Sequence, residues 1–530
     1  MSSPRPTADV CPNGAQALIR TLVACGLRTC FTNPGTSEMH FVAALDSVPE
    51  MRAVLGLFEG VATGAADGYA RMAETTGVTL LHLGPGLGNG LANLHNARRA
   101  RVAILNIVGD HAIDHVRYDA PLQSDIETVA RNVSTWVRTA TATATLGADA
   151  AEAIAAAGGP PGQVATLIVP ADVSWSDGGE PAGPAAISPR AAVPDEAVER
   201  AAAALRGPGR AGILLGGTAL RARGLRAAAR IAAATGARLY CEVFPARLER
   251  GTGLPRLERL AYFPEPATAQ LDGLEHLVLV DTKVPASFFA YPGRRSTLAP
   301  EACRMHELAA PAADAIEGLE ALADLLGAAR AQPAPAPVTE PARPTGALTA
   351  EKASAAIALV LPEGAIVSDE ALTSGMTLPT ATAGAPRHDW LTLTGGAIGQ
   401  GLPLAVGAAV ACPDRPVLAL QADGSSLYTI QSLWTMAREQ LDVTVVLFNN
   451  RSYAILNVEL ARVGARAAGP RARAQFDLGS PDLDFVALGT GFGVPSRRAS
   501  TAEELIDALR QAIVEPGPHL IEALVPAGGT

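Results

Sequence analysis

Two short polar turns, each closing an apolar run, hold the side chains best suited to chemistry. The run Pro416–Gln421 is followed by Ala422-Asp423-Gly424-Ser425-Ser426, and the run Val443–Phe448 by Asn449-Asn450-Arg451-Ser452-Tyr453. Asp423 and Asn450 stand 450 − 423 = 27 residues apart, enough for a strand end, one helical crossover and a second strand. Adjacent parallel strands would bring both ends to one edge of a sheet. Such an edge suits magnesium bound to a diphosphate, because Mg²⁺ takes six oxygens at about 2.0–2.1 Å from few protein groups plus phosphate and water. Asp423 would supply charge, Asn450 a neutral side-chain oxygen, and Ser452 a main-chain carbonyl. Gly424, Ser425 and Ser426 would aim N–H groups and hydroxyls at phosphate oxygens. Asp-Gly and Asn-Asn are each more often plain turns or caps; together, at this spacing, they are far more specific.

Two further side chains stand out. Glu59 follows the apolar Leu55–Phe58 and opens the small-residue stretch Gly60–Arg71. An acid at a helix start ordinarily partners the helix dipole, but apolar flanks imply that this carboxyl is buried. His82 ends another apolar run; a histidine there is commonly a structural hydrogen-bonder.

These residues must be carried by regular elements, and the chain supplies them in three blocks. Short β-branched runs alternate with Ala-rich helical stretches: Val78–Leu83, Val102–Val108 and Ala165–Val169, then Gly212–Leu215 and Leu277–Val280, then Ala365–Val367, Val417–Gln421, Val443–Phe448 and Leu520–Leu524. Helices are expected over Ala191–Leu205 and Ala502–Val514. Pro-, Ala- and Gly-rich stretches at Ser176–Pro194 and Gln332–Pro344 read as linkers. The expected fold is α/β, three open and mostly parallel-sheet domains over residues 1–175, 195–330 and 346–530, with ligands at the carboxyl ends of strands.

Composition narrows the function. With 530 residues, 48% hydrophobic, 18% charged and a net charge of −10, the chain is a well-buried globule with no electrostatic case for nucleic acid. It has no uncharged apolar run long enough to cross a membrane. Its start, Met1–Pro6, lacks a signal-peptide core and reads as a short disordered lead-in, so a cytoplasmic enzyme is expected. The six cysteines are scattered without C-x2-C spacing, and only two lysines are present, which leaves few candidates for Schiff-base chemistry.

The Asp-Gly…Asn-Asn pattern resembles the signature of the thiamine-diphosphate-dependent 2-oxo acid decarboxylase and acetolactate synthase superfamily. Ala422 replaces the first glycine of that signature, a strain on the backbone if the position needs positive φ. The segment FEGVATGAADGYAR resembles the family's activating-glutamate region, which implies that Glu59 shares a proton with the cofactor's pyrimidine ring and so activates the thiazolium C2. Thr394–Pro403 resembles the glycine-rich stretch over which the cofactor bends, with Ile398 as the wedge. Asp369–Thr373 resembles a second diphosphate-contacting loop, with Thr373 as donor. The three domains would then be pyrimidine-binding, central and diphosphate-binding. In relatives the glutamate and the metal site come from different subunits, which implies a homo-oligomer, a dimer or a homotetrameric dimer of dimers.

Both ends of the chain resemble benzoylformate decarboxylase. Thr32–Glu38 matches its Asn-Pro-Gly-Ser loop, with Thr36 in place of the substrate-facing serine, and Leu81–Gly84 matches the strand end bearing one catalytic histidine, here His82. The region expected to hold a second histidine carries Phe288 and Phe289 instead, which leaves proton delivery after decarboxylation unassigned. Asp119–Gln123 resembles a loop of acetolactate synthases, and Gln123 would contact the bound intermediate. The Arg-Phe-Asp-Asp-Arg stretch of flavin-binding synthases is missing, Val280–Pro285 standing in its place, and FAD is not expected. The resemblance therefore implies a thiamine-diphosphate- and magnesium-dependent non-oxidative decarboxylation of a 2-oxo acid, with carboligase capability. The alternatives are an acetolactate synthase-like condensation and a non-catalytic cofactor-binding paralogue, against which the presence of both Glu59 and Asp423 counts.

Overall fold

The computed structural model describes residues 11–328, 331, 341–465 and 469–526. The lead-in Met1–Pro6 and residues 332–340 of the second expected linker lie outside them. Contacts group the chain into two compact units, one running through Ser188 and including Val406–Ala411, the other formed by Pro189–Ala405 and the residues from Cys412 onward. Three sheets with flanking helices make up the α/β architecture.

The first unit holds a six-stranded sheet: β1 (Thr29–Asn33), β2 (Arg52–Leu55), β3 (Gly77–Leu81), β4 (Ile104–Asp110), β5 (Trp136–Thr139) and β6 (Val164–Pro170). They are ordered β2-β1-β3-β4-β6-β5, all parallel. β3 and β6 are buried along their whole length, which is why both were legible as continuous apolar runs. β3 stops at Leu81, two residues short of the expected end. His82 caps the next helix, α2 (Leu83–Ala100), and Leu83 takes the left-handed φ of +53° that turns the chain sharply.

Helix α1 (Glu59–Ala73) is buried on nearly every face, which its Gly and Ala content permits. It packs tightly on α2: Thr63 Oγ1 donates to the Gly90 carbonyl (3.1 Å) and Asn93 Nδ2 to the Gly60 carbonyl (2.7 Å). Within α1, Arg71 and Asp67 form a two-pronged ion pair, Nε to Oδ1 at 2.8 Å and a second nitrogen to Oδ2 at 2.7 Å.

The second unit holds two sheets. One comprises β7 (Ala211–Leu215), β8 (Arg238–Cys241), β10 (Glu258–Arg259), β11 (His276–Val280) and β12 (Arg304–Ala309), all parallel in the order β10-β8-β7-β11-β12. The other comprises β13 (Ile366–Glu370), β14 (His388–Thr392), β15 (Val417–Ala422), β16 (Val443–Asn449), β17 (Ser496–Ala499) and β18 (His519–Leu524), in the order β17-β18-β16-β15-β13-β14. Its far edge is closed by β9 (Arg247–Arg250), which leaves the preceding sheet's stretch of chain to pair antiparallel with β14. Arg247 Nε on Asp389 (2.6 Å) and the buried Trp390 fix that junction.

The helix expected over Ala191–Leu205 begins at Asp195. Ala191 is instead bridged to Ala313, and Pro194 precedes the first turn, where its missing N–H is harmless. The helix Ala502–Val514 has the expected bounds and a Thr501–Glu504 capping box. Among the described residues no helix is long and apolar enough to cross a membrane.

Candidate functional site

In the first unit, the carboxyl ends of β1, β2 and β3 collect polar side chains. Glu59, the first residue of α1, is 9% exposed, and its Oε2 accepts from Asn89 Nδ2 at 3.0 Å. Gly86 lies between it and His82: a methyl group there would stand 3.0 Å from Glu59 Oε1 and 3.4 Å from His82 Cβ. The two sequence-selected groups are thus neighbours. Thr36 is exposed at the start of the turn Thr36–Glu38. Gln123 is half-buried; its Nε2 donates to the Ser124 carbonyl at 3.3 Å, while its buried Oε1 has no partner. Its neighbour Ser124 packs on Gly84, at the start of α2.

Sequence reasoning passed over the strongest partner of His82. Glu38, buried at the end of the Asn33–Glu38 loop, faces His82 Nδ1 through Oε2 at 2.9 Å. Ser37 Oγ stands 3.3 Å from the same nitrogen, and the Gly35 N–H donates to Glu38 Oε2 at 2.7 Å. Glu38 Oε1 is buried without a partner. Burial pushes the Glu38 carboxyl above the usual range, while the Gly35 N–H and His82 pull part of that back. When Glu38 is ionised it can only accept, so in that state Nδ1 carries the proton and Nε2 is left for other partners. The fit is close: a methyl on Gly35 would lie 2.3–2.6 Å from the His82 ring. An acid ending a small-residue loop was the available signal. Asn89 gave none, as a polar residue on a glycine-rich helix.

In the second unit, β15 and β16 are parallel neighbours in the register Gln421↔Leu447 and Ala422↔Phe448. Asp423 and Asn450 therefore meet at one sheet edge. Ala422 has φ −83° and ψ 153°, ordinary extended backbone, so the alanine brings no strain. Asp423 is 2% exposed. Its Oδ1 accepts from the Gly424 N–H (2.8 Å) and its Oδ2 from the N–H groups of Asn450 (3.1 Å) and Arg451 (2.7 Å). Burial pushes this carboxyl up, and the surrounding N–H groups pull it part of the way back. Arg451 turns its side chain to Asp482 (2.8 Å), and among the described residues no cationic side chain pairs with Asp423.

Asn450 Oδ1 accepts from the Ser452 N–H at 2.9 Å, and Asn450 Nδ2 reaches Ser374 Oγ at 3.5 Å. Ser452 Oγ donates to the Phe476 carbonyl at 3.1 Å, which leaves its main-chain carbonyl as the candidate ligand. The hydroxyls of Ser425 and Ser426 turn back to the carbonyls of Ala422 (3.2 Å) and Asp423 (2.6 Å), the habit of serine in a first helical turn. Those hydroxyls, like the Gly424 N–H on Asp423 Oδ1, are engaged within the turn. Thr373 is half-buried in the turn Leu372–Gly375, and Ile398 is half-buried in an irregular segment rather than in the core.

A buried carboxylate beside amide oxygens and a serine main-chain carbonyl fits a hard divalent cation that keeps phosphate and water ligands. Among the described residues there is no cluster of three His, Cys, Asp or Glu, so a metal here would rely on those outside oxygens.

Residues 12–131 match the thiamine pyrophosphate enzyme N-terminal TPP binding domain, and residues 374–523 match the C-terminal TPP binding domain. A Mycobacterium tuberculosis (strain H37Rv) protein that carries the provisional name acetolactate synthase large subunit is 59% identical over 516 residues, 97% of this chain and 99% of that protein. A benzoylformate decarboxylase of Pseudomonas aeruginosa is 28% identical over 533 residues, covering 94% and 96%. The structure of Rhodococcus jostii RHA1 thiamine diphosphate-dependent 4-hydroxybenzoylformate decarboxylase superposes with a TM-score of 0.87, covering 98% of this chain and 100% of that one; at 24% identity it speaks for the fold alone.

Proposed function

The chain belongs to the thiamine pyrophosphate enzymes, and from that premise we propose that it decarboxylates a 2-oxo acid non-oxidatively, with thiamine diphosphate and Mg²⁺ bound, and can pass the retained acyl unit to an aldehyde. The observation that carries this reading is the buried Glu59 beside a histidine whose Nδ1 is fixed by an acid. Asp423, Asn450 and the Ser452 carbonyl would hold the metal. The main chain at Gly424, Ser425 and Ser426, with Thr373, would hold the diphosphate, and Ile398 would support the bent cofactor. When bound, thiamine diphosphate supplies a nucleophilic carbon and a sink for the electron pair left by departing CO₂.

The chain's own residues handle protons and position. Glu59, steadied through Oε2 by Asn89, holds and releases a proton. His82 does the same at Nε2 when an ionised Glu38 holds the proton on Nδ1. Thr36 and Gln123 orient the substrate, Gln123 through its unpartnered Oε1. A homo-oligomer, a dimer or a dimer of dimers, and a cytoplasmic location complete the reading.

The second reading, an acetolactate synthase-like condensation, is favoured by the provisional name of the Mycobacterium tuberculosis relative. It would run here without flavin. In the five-stranded sheet, the loop after β7 that would receive a pyrophosphate is taken by Asp281: Thr218 N–H and Oγ1 both donate to its Oδ2, at 2.8 and 3.0 Å. A carboxylate at that place repels phosphate.

The test is a panel of 2-oxo acids given with thiamine diphosphate and Mg²⁺, with and without an acceptor aldehyde, scored for CO₂ and for coupled product. Cofactor-dependent CO₂ release with the free aldehyde as product supports decarboxylation. Turnover only when a second 2-oxo acid accepts the acyl unit selects the synthase reading. No turnover of any acid sinks both.

A further inference from the structure

Glu370 closes β13 as an enclosed carboxylate, 1% exposed, and no step above uses it. Its oxygens take the main-chain N–H groups of Gly399 (2.6 Å) and Gly401, with Gln400 N–H and the Gln421 side chain adding to the set. The carbonyls of the same residues are fastened as well, Gly401 by Ser368 Oγ and Gly399 by Thr429 Oγ1, both at 2.8 Å. The space around them is full. A methyl on Gly401 would stand 2.4 Å from Gln421 Oε1 and 2.8 Å from Glu370 Cβ. Gln421 Nε2 in turn donates to Ser425 Oγ at 2.5 Å, in the turn that Asp423 opens.

A buried carboxylate is costly unless hydrogen bonds satisfy it. Here those bonds come from one short piece of main chain, directly after Ile398. Fixing both the N–H and C=O groups of that piece removes its freedom to swing and sets where Ile398 stands.

We propose that Glu370 is a positioning residue: it pins the Gly399–Gly401 main chain and so holds Ile398 as a rigid support for the bent cofactor. This rests on the cofactor reading above. The test titrates the full-length wild type and Glu370→Gln by calorimetry with excess Mg²⁺, first with thiamine diphosphate and then with inorganic pyrophosphate. Glutamine cannot accept with both terminal atoms, so the pin loosens while Asp423 is untouched. The expected result is that thiamine diphosphate binds about tenfold more weakly or worse, while pyrophosphate binding stays within roughly twofold. Thr429→Val frees the Gly399 carbonyl without removing a charge; it should give the same selective loss, and it decides the matter if Glu370→Gln does not fold. Equal weakening of both ligands, or unchanged thiamine diphosphate binding, overturns the proposal. A wild type that binds neither ligand removes the cofactor reading itself, and the proposal with it.

Discussion

The Asp67–Arg71 pair offers the sharpest physical test, because it lies inside the helix that Glu59 opens. Its side chains are 0% and 1% exposed, and its two prongs are 2.8 and 2.7 Å long. Arg71→Met removes the cation and leaves Asp67 buried without it. Breaking one partner of a buried pair costs about 3–5 kcal/mol, whereas replacing both by apolar side chains of similar volume is often neutral or stabilising. For a unit of this size, 1 kcal/mol moves the midpoint by roughly 2–4 °C, so Arg71→Met should lower the first thermal transition by roughly 6–20 °C. Asp67→Leu combined with Arg71→Met should recover most of that loss. The assay is differential scanning calorimetry of the four members of the double-mutant cycle, with cofactor affinity measured alongside. If Arg71→Met alone moves the transition by less than about 2 °C, or if the double variant loses the sum of the singles, the pair is not coupled as the geometry requires.

Other outcomes follow from single groups. The Glu370 carboxyl is pushed up to about 7 by burial, from 4.5. Folding therefore takes up a proton between these values, and the associated stability is full below pH 4.5 and lost as pH rises through 7. The loss amounts to about 3 kcal/mol; urea unfolding from pH 5 to 8 should show it in the wild type and not in Glu370→Gln. Glu59→Ala should retain cofactor and magnesium but lose C2 proton exchange, and wild-type turnover of 2-oxo acids by this variant would refute the role given to Glu59. Gly35→Ala should push the His82 ring aside and lower kcat by about 10²-fold with cofactor affinity unchanged. Asp423→Ala should abolish magnesium-dependent cofactor retention, checked by calorimetry.

Much of this was legible before any coordinates. β3, β6, β7, β11, β15 and β16 are largely buried and largely apolar runs, and β18 shows the same signal over most of its length despite the buried Glu522. β2, β5 and β17 are short, half-exposed edges without that signal. The meeting of Asp423 with Asn450 was legible too, because a strand–helix–strand crossover has a near-fixed length. The backbone angle of Ala422 and the return of the Ser425 and Ser426 hydroxyls onto the chain depend on local packing that residue types alone do not state.

The sequence by itself determined the α/β class and the two polar strand ends, because burial and crossover length are properties of contiguous chain. Only the tertiary structure decided that Glu38 faces His82, that Asn89 steadies Glu59, and that Glu370 gathers the amides after Ile398. Each is a contact of about 3 Å between residues 29–44 positions apart. A hydrogen bond asks for placement to a fraction of an ångström, and that placement is set by how strands and helices pack against one another.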